Sequence, residues 1–247
     1  MSKKINIITL GCSKNTVDSE HLAAQLAAMD YKVVFDSDRT DADVVVINTC
    51  GFIGDAKQES VETILRAAQL KEAGKIEELF VVGCLSQRYA DELRPELPEV
   101  DDFFGVNDWA GIVERLGAKW REENATKREL STPSHYAYLK ISEGCNWMCG
   151  YCAIPLIRGR HKSVPMEKLI EEAEALVAGG VREIMVLAQD TTYYGVDIYG
   201  ERKLAELLER LCRIEKLEWV RLHYAYPTDF PQEVIEVMAR EKKICRY

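Results

Sequence analysis

Three cysteines stand within one short run, Glu143-Gly144-Cys145-Asn146-Trp147-Met148-Cys149-Gly150-Tyr151-Cys152. A C-x₃-C-x₂-C loop can wrap Cys145, Cys149 and Cys152 around one small metal cluster. A cubane [4Fe–4S] cluster has four irons, so three thiolates leave one iron open to bind and activate a small molecule. A structural zinc site is the alternative. It needs a fourth ligand, which His161 or His135 would supply.

Three more cysteines gain meaning from position. Cys12 follows the apolar run at 5–10, Cys50 the run at 44–48, and Cys84 the run at 79–82. If those runs are strands of an open α/β sheet, all three thiols lie at carboxyl ends, where such sheets build their ligand crevice. Gly11, Gly51 and Gly83 beside them let the backbone approach a bulky group. A second [4Fe–4S] cluster, again with an open iron, is one reading; small buried hydrophobes are the other. Cys212, on the apolar face of a helix, and Cys245, near the end of the chain, read as core residues.

The loop after the C-x₃-C-x₂-C run is basic, and its Arg158 is a candidate partner for a carboxylate or phosphate. Gln189 and Asp190 follow the run at 183–187. They are candidate ligand contacts on the carboxyl rim of a β/α barrel, where the active sites of that fold form. Neither G-x-x-x-x-G-K-[ST] nor G-x-S-x-G occurs, so nucleotide hydrolysis and serine nucleophile chemistry find no support.

The elements that must position these groups alternate along the chain. Strand signals at 5–10, 32–35, 44–48 and 79–82 are short β-branched or apolar runs, as expected of strands buried on both faces of a parallel sheet. Helical spacing appears at 18–29, 56–73 and 87–93. The fold class is therefore α/β, with an N-terminal doubly wound parallel-sheet domain over 1–120. A polar, proline-containing linker covers 121–134. From 135 to 247 a new alternation begins: strands at 136–142, 183–187 and 219–224, and helices at 166–178, 202–214 and 231–240. Three parallel strands cannot close a barrel and leave an unpaired edge, so this half reads as an incomplete β/α barrel and the chain as a piece of a longer protein.

Composition limits the partners. Of 247 residues 47% are apolar and 30% charged, the proportions of a globular protein, and no run approaches a membrane span. Residues 1–134 carry 16 basic and 24 acidic side chains, against 16 and 17 in 135–247, for a net charge of −9. Direct DNA binding and generic polyanion binding are not expected. The apolar run behind Lys3 and Lys4 is too short for a signal peptide, so the cysteines are expected to be reduced, in the cytoplasm.

The C-x₃-C-x₂-C run on a β/α strand resembles the radical S-adenosylmethionine (SAM) superfamily, and its combination with three N-terminal cysteines resembles the methylthiotransferases. Gly11-Cys12-Ser13-Lys14-Asn15, Asn48-Thr49-Cys50-Gly51-Phe52-Ile53, Lys140-Ile141-Ser142-Glu143-Gly144-Cys145-Asn146 and Ala188-Gln189-Asp190-Thr191-Thr192 are similar to the RimO-type branch. The resemblance implies two [4Fe–4S] clusters, one on Cys145, Cys149 and Cys152 that cleaves SAM, and an auxiliary one on Cys12, Cys50 and Cys84 that delivers sulfur. It implies that Tyr151 packs near the adenine of SAM. It also implies a 5′-deoxyadenosyl radical, an electron donor, a sulfur donor, and an aspartate β-carbon of small-subunit ribosomal protein S-twelve as the methylthiolated atom. Full-length relatives are expected to continue into a longer barrel and a small C-terminal β-barrel domain. A tRNA-modifying methylthiotransferase and an inactive iron–sulfur-binding fragment are the alternatives.

Overall fold

A computed structural model describes residues 3–39 and 41–246; Tyr247, the last residue of the segment where a fourth barrel strand is expected to begin, lies outside the described residues. The chain divides into two compact units, Met1–Ala125 with Leu156–Arg158, and Thr126–Pro155 with Gly159–Tyr247.

The first unit alternates β1 (Lys4–Thr9), α1 (Ser13–Ala27), β2 (Lys32–Phe35), β3 (Val44–Thr49), α2 (Gly54–Glu72), β4 (Glu78–Gly83), α3 (Cys84–Glu96), β5 (Asp102–Phe103) and α4 (Trp109–Arg115). The strands are parallel, in the order β2-β1-β3-β4-β5. Alternate residues feed two cores. Val44, Val46, Phe80 and Val82 pack with α1 and α4, whereas Val45, Ile47, Leu79 and Val81 pack with α2 and α3. With both faces covered, β3 is buried along its whole length, which is why it reads as a continuous apolar run. This strand order is one of the two common doubly wound arrangements, and its ligand crevice lies where β1 and β3 diverge.

Several boundaries differ from the sequence reading. Helix α1 starts at Ser13 rather than residue 18, because Lys14, Asn15, Asp18, Ser19 and Glu20 are buried polar residues that leave no apolar period to detect. Helix α3 starts at Cys84 rather than residue 87. Strand β5 and helix α4 were not expected: the first is two residues long, and the second is a short helix whose Asp108 caps the Gly111 N–H at 3.2 Å. The polar run at 121–134 contains a 3₁₀ turn at Glu122–Asn124, and Gln25 holds the Arg121 backbone through both its N–H and its carbonyl.

The second unit opens with β6 (Tyr136–Lys140) and β7 (Ser142–Glu143); α5 (Ile154–Arg158) follows, with its Leu156–Arg158 belonging to the first unit, and the second unit continues with β8 (Lys162–Ser163), α6 (Met166–Ala178), β9 (Glu183–Leu187), α7 (Val196–Tyr199), α8 (Leu204–Cys212), β10 (Trp219–Leu222) and α9 (Gln232–Arg240). Strands β6, β9 and β10 form a parallel sheet in that order, and the apolar faces of α6, α8 and α9 close one core with it. Burying each such Leu or Ile contributes roughly 1.5–3 kcal/mol. Cys212 belongs to this core, and Cys245 is also buried.

The strand expected over 136–142 is split. After Lys140 the chain turns aside, and β7 pairs antiparallel with β8, so the cysteine loop between them is closed as a hairpin. Strand β10 stops at Leu222, before Tyr224 adopts a left-handed φ of 57°. Ile244 makes one parallel bridge to Val220 where a fourth strand was expected to begin. This is a partial β/α barrel. Among the described residues no helix is long and apolar enough to cross a membrane.

Candidate metal-cluster sites

In the first unit Cys12 directly precedes α1, Cys50 directly follows β3, and Cys84 opens α3 directly after β4. The crevice between β1 and β3 therefore has Cys12 on one lip and Cys50 on the other. A methyl group built on Gly11, at φ +89°, would lie 2.6 Å from Cys50 Cβ and 2.9 Å from its sulfur. Only glycine allows that approach. One built on Gly51 would lie 2.9 Å from the Cys84 carbonyl carbon, and Gly83, at φ +100°, lets β4 turn into α3 against the Thr49 backbone. Burial pushes the Cys84 thiol up; the Arg158 guanidinium opposes this, and Cys12 and Cys50 are near enough to raise it further.

Polar side chains hold the three thiols in place. Ser60 grips Cys50, accepting from its N–H at 3.1 Å and donating to its carbonyl at 3.0 Å. The Asn15 amide donates to the carbonyls of Leu10 at 2.8 Å and Thr49 at 3.1 Å, tying the ends of β1 and β3 together. Asn48 donates to the Asn15 carbonyl and to Ser19 Oγ. Arg158 is buried here: Nη2 donates to Asn15 Oδ1 at 2.6 Å, and Nη1 faces Asp18 Oδ2 at 3.5 Å. The sequence reading aims Arg158 at a ligand carboxylate or phosphate, but the carboxylate it meets is that of Asp18.

In the second unit Cys145, Cys149 and Cys152 lie on the loop after β7, at the carboxyl rim of the sheet. Position 144 requires glycine, because its φ is +72° and a Cβ there would lie 2.2 Å from the Arg160 carbonyl oxygen. The Cys145 N–H donates to the Gly159 carbonyl at 3.1 Å, and Cys152 N–H to that of Cys149 at 3.0 Å. Burial pushes the Cys145 thiol up, a hydrogen bond from the Trp147 backbone N–H opposes this, and Asp190, Cys152 and Cys149 add to the rise.

Trp147 anchors the loop. Its indole Nε1 donates to Asp190 Oδ2 at 2.7 Å, and its ring stacks on Tyr226 with centroids 4.6 Å apart. Asp190 Oδ1 accepts from the N–H and hydroxyl of Thr192. Both oxygens of this buried carboxylate are thus engaged within the protein. Gln189 is half-buried beside it, and Tyr151 is 93% exposed. Asn15, Ser60, Trp147 and Tyr226 were not singled out from the sequence; Asn15 and Trp147 lie close to cysteines in the chain, whereas Ser60 sits inside α2, ten residues from the Cys50 it binds.

The histidines do not complete a zinc site. His135 precedes β6 whereas the cysteines follow it, so the strand separates them. His161 is buried with Nε2 3.0 Å from Ser163 Oγ and 3.7 Å from Asp197. Among the described residues no three His, Cys, Asp or Glu side chains converge as a single metal ion requires. A cluster instead spreads its thiolates over separate irons.

Comparison with known proteins matches a different family to each half of the chain. The family model "Uncharacterized protein family UPF0004" matches residues 4–105, and that of the "Radical SAM superfamily" matches residues 139–247. The chain is 55% identical over 243 residues to "Ribosomal protein uS12 methylthiotransferase RimO" of Phocaeicola vulgatus, covering 98% of this chain and 56% of that protein. It is 53% identical over 244 residues to the protein of the same name from Christiangramia forsetii, covering 99% of this chain and 54% of that one. The chain therefore spans about half the length of the curated relatives it matches. Among solved structures, the radical SAM methyltransferase TsrM from Kitasatospora setae, with cobalamin and a [4Fe–4S] cluster bound, superposes with a TM-score of 0.63 at 13% identity, over 97% of this chain and 59% of that one. The cobalamin-dependent radical enzyme OxsB gives 0.56 at 10% identity, over 90% and 38%. At these identities the two structures speak for the fold alone. With two family models matched in this order and such identity across nearly its whole length, the chain is similar to the RimO-type methylthiotransferases of the radical SAM superfamily.

Proposed function

We propose that this chain is the two-cluster portion of a radical SAM methylthiotransferase that modifies an aspartate β-carbon of small-subunit ribosomal protein S-twelve. The observation that carries the proposal is the pairing of two cysteine triads, one at the β1/β3 crevice and one at the carboxyl rim of β6, β9 and β10. The name borne by the relatives supports the substrate. Cys145, Cys149 and Cys152 would hold one [4Fe–4S] cluster and Cys12, Cys50 and Cys84 the other; each set supplies three thiol donors. Bound there, the clusters and SAM would supply reductive SAM cleavage, hydrogen abstraction from an unactivated carbon, and sulfur and methyl transfer.

The chain's own residues bind and orient. Gly144 and the hydrogen bond between Cys145 and Gly159 fold the rim loop, and Trp147 and Asp190 hold it against the ends of β9 and β10. Gln189 is assigned to polar groups of SAM and the exposed Tyr151 to its adenine, with Asp190 supporting the pocket wall from within. We take the domains as 1–120 and 135–247 with a linker at 121–134. An external electron donor and a sulfur donor are required, and reduced, metal-bearing cysteines fit a cytoplasmic protein.

The test is anaerobic reconstitution followed by iron and acid-labile sulfide measurement. About eight irons per chain are expected, halved when either triad is replaced by alanine. About four irons, unchanged by replacing Cys12, Cys50 and Cys84, would overturn the auxiliary cluster. Incubating the full-length protein with SAM, reductant, sulfide and ribosomal protein S-twelve should add one methylthio group, read by mass spectrometry.

A further inference from the structure

A single guanidinium reaches the supports of all three N-terminal thiols. Arg158 is 4% exposed, its Nη2 donates to the neutral Asn15 Oδ1 at 2.6 Å, and its guanidinium is near enough to the Cys84 thiol to oppose the upward push of burial on it. Asn15 directs its amide to the carbonyls of Leu10, two residues before Cys12, and of Thr49, the residue before Cys50. Arg158 thus sets its charge near Cys84 and, through Asn15, reaches the backbones that carry Cys12 and Cys50.

We infer that Arg158 is the positioning residue of the N-terminal triad, fixing the three thiols and setting a permanent positive charge beside the cluster they hold. The inference rests on reading these cysteines as cluster ligands. Beyond its ion pair with Asp18, the guanidinium donates a 2.6 Å bond to the neutral Asn15 Oδ1, which neutralising Asp18 alone does not require. Arginine suits the task because its planar fork spans several acceptors at once, whereas the ammonium of lysine is a point donor. Net charge and hydrogen bonds to sulfur set the potential of an iron–sulfur cluster, and a fixed cation favours the form carrying one more electron.

The test uses the chain with Cys145, Cys149 and Cys152 replaced by alanine, so that only the N-terminal cluster remains, reconstituted and titrated with dithionite while electron paramagnetic resonance is recorded. Arg158→Gln should shift the reduced-to-oxidised ratio at a fixed potential at least tenfold toward oxidised, a 59 mV drop for one electron. Arg158→Lys, which keeps the charge, should recover most of that shift, and the exposed neighbour Arg160→Gln should leave it unchanged. A second readout needs no cluster: amide hydrogen exchange of the metal-free chain should speed up together at residues 10–15 and 49–51 in Arg158→Gln and, less, in Arg158→Lys. If the background chain takes up no iron, the ligand reading fails while the exchange experiment still tests the positioning role. Unchanged exchange in both segments, or full iron with an unshifted potential in Arg158→Gln, overturns the inference.

Discussion

The indole Nε1 of Trp147 donates to Asp190 Oδ2 across 2.7 Å, while the other oxygen of that carboxylate accepts from Thr192 N at 2.9 Å and Thr192 Oγ1 at 2.7 Å. One side chain at the end of β9 therefore fastens both the cysteine loop and the turn that follows β9. Replacing Asp190 by alanine leaves these buried donors unmatched, at about 1–3 kcal/mol each. Urea unfolding of the metal-free chain should show that loss, with Asp190→Asn milder. In reconstituted protein, Asp190→Ala should lose iron to a chelator faster from the second triad and at an unchanged rate from the first.

Gly11→Ala should be costly. The added methyl meets Cys50 Cβ at 2.6 Å, and the backbone sits at φ +89°, so both overpacking and strain oppose it, together costing about 1–3 kcal/mol. Gly54→Ala, in open space at the start of α2, should be neutral or stabilise by up to about 1 kcal/mol. Denaturant midpoints of the two variants provide the comparison.

Burial holds His161 below its ordinary value of 6.5, with Asp197 and Asp190 opposing, and its Nδ1 has no partner among the described residues. The folded state then takes up a proton later than the unfolded one. Stability is full above about pH 6.5 and falls as the pH drops toward the lowered folded value, because the unfolded chain binds the proton first. Between about pH 7 and pH 5.5 the melting temperature of the parent should fall more than that of His161→Gln. Equal slopes would show that His161 is not the titrating group.

Cys212 and Cys245 should be the slow thiols. Burial in the α8 core pushes Cys212 up to about 11, and burial also raises Cys245. Little thiolate is present at neutral pH. Alkylation of the folded, metal-free chain followed by peptide mass mapping should modify Cys149 and Cys152 well before Cys212.

The β-branched runs of β1, β3 and β4 were legible because strands buried on both faces must be apolar throughout, and their thiols could be placed by counting from the strand ends. The start of α1 was hidden for the opposite reason: its first turns bury Asn15, Asp18 and Ser19 around the crevice, and polar burial leaves no hydrophobic period. Arg158 was recognised as unusual, but its partners are 140 and 143 residues away in the chain, a pairing that no local pattern encodes. Trp147 sits at an unspecified position inside the cysteine spacing, so only the folded rim reveals that it faces Asp190 and Tyr226.

Strand register makes the β1/β3 crevice intolerant of changes in chain length. Thr9 is paired with Asn48, and Thr49 with Gly83, so Cys12, Cys50 and Cys84 follow fixed points of one hydrogen-bonded ladder by three, one and one residues. Inserting a single residue into any of those short steps would carry a thiol away from its fixed place beside the ladder. The connections at 73–77 and 97–101, at the amino ends of β4 and β5, bear no such constraint. Over evolutionary time, insertions and deletions should accumulate there, while the three steps from strand end to cysteine keep their length even where the residue types change.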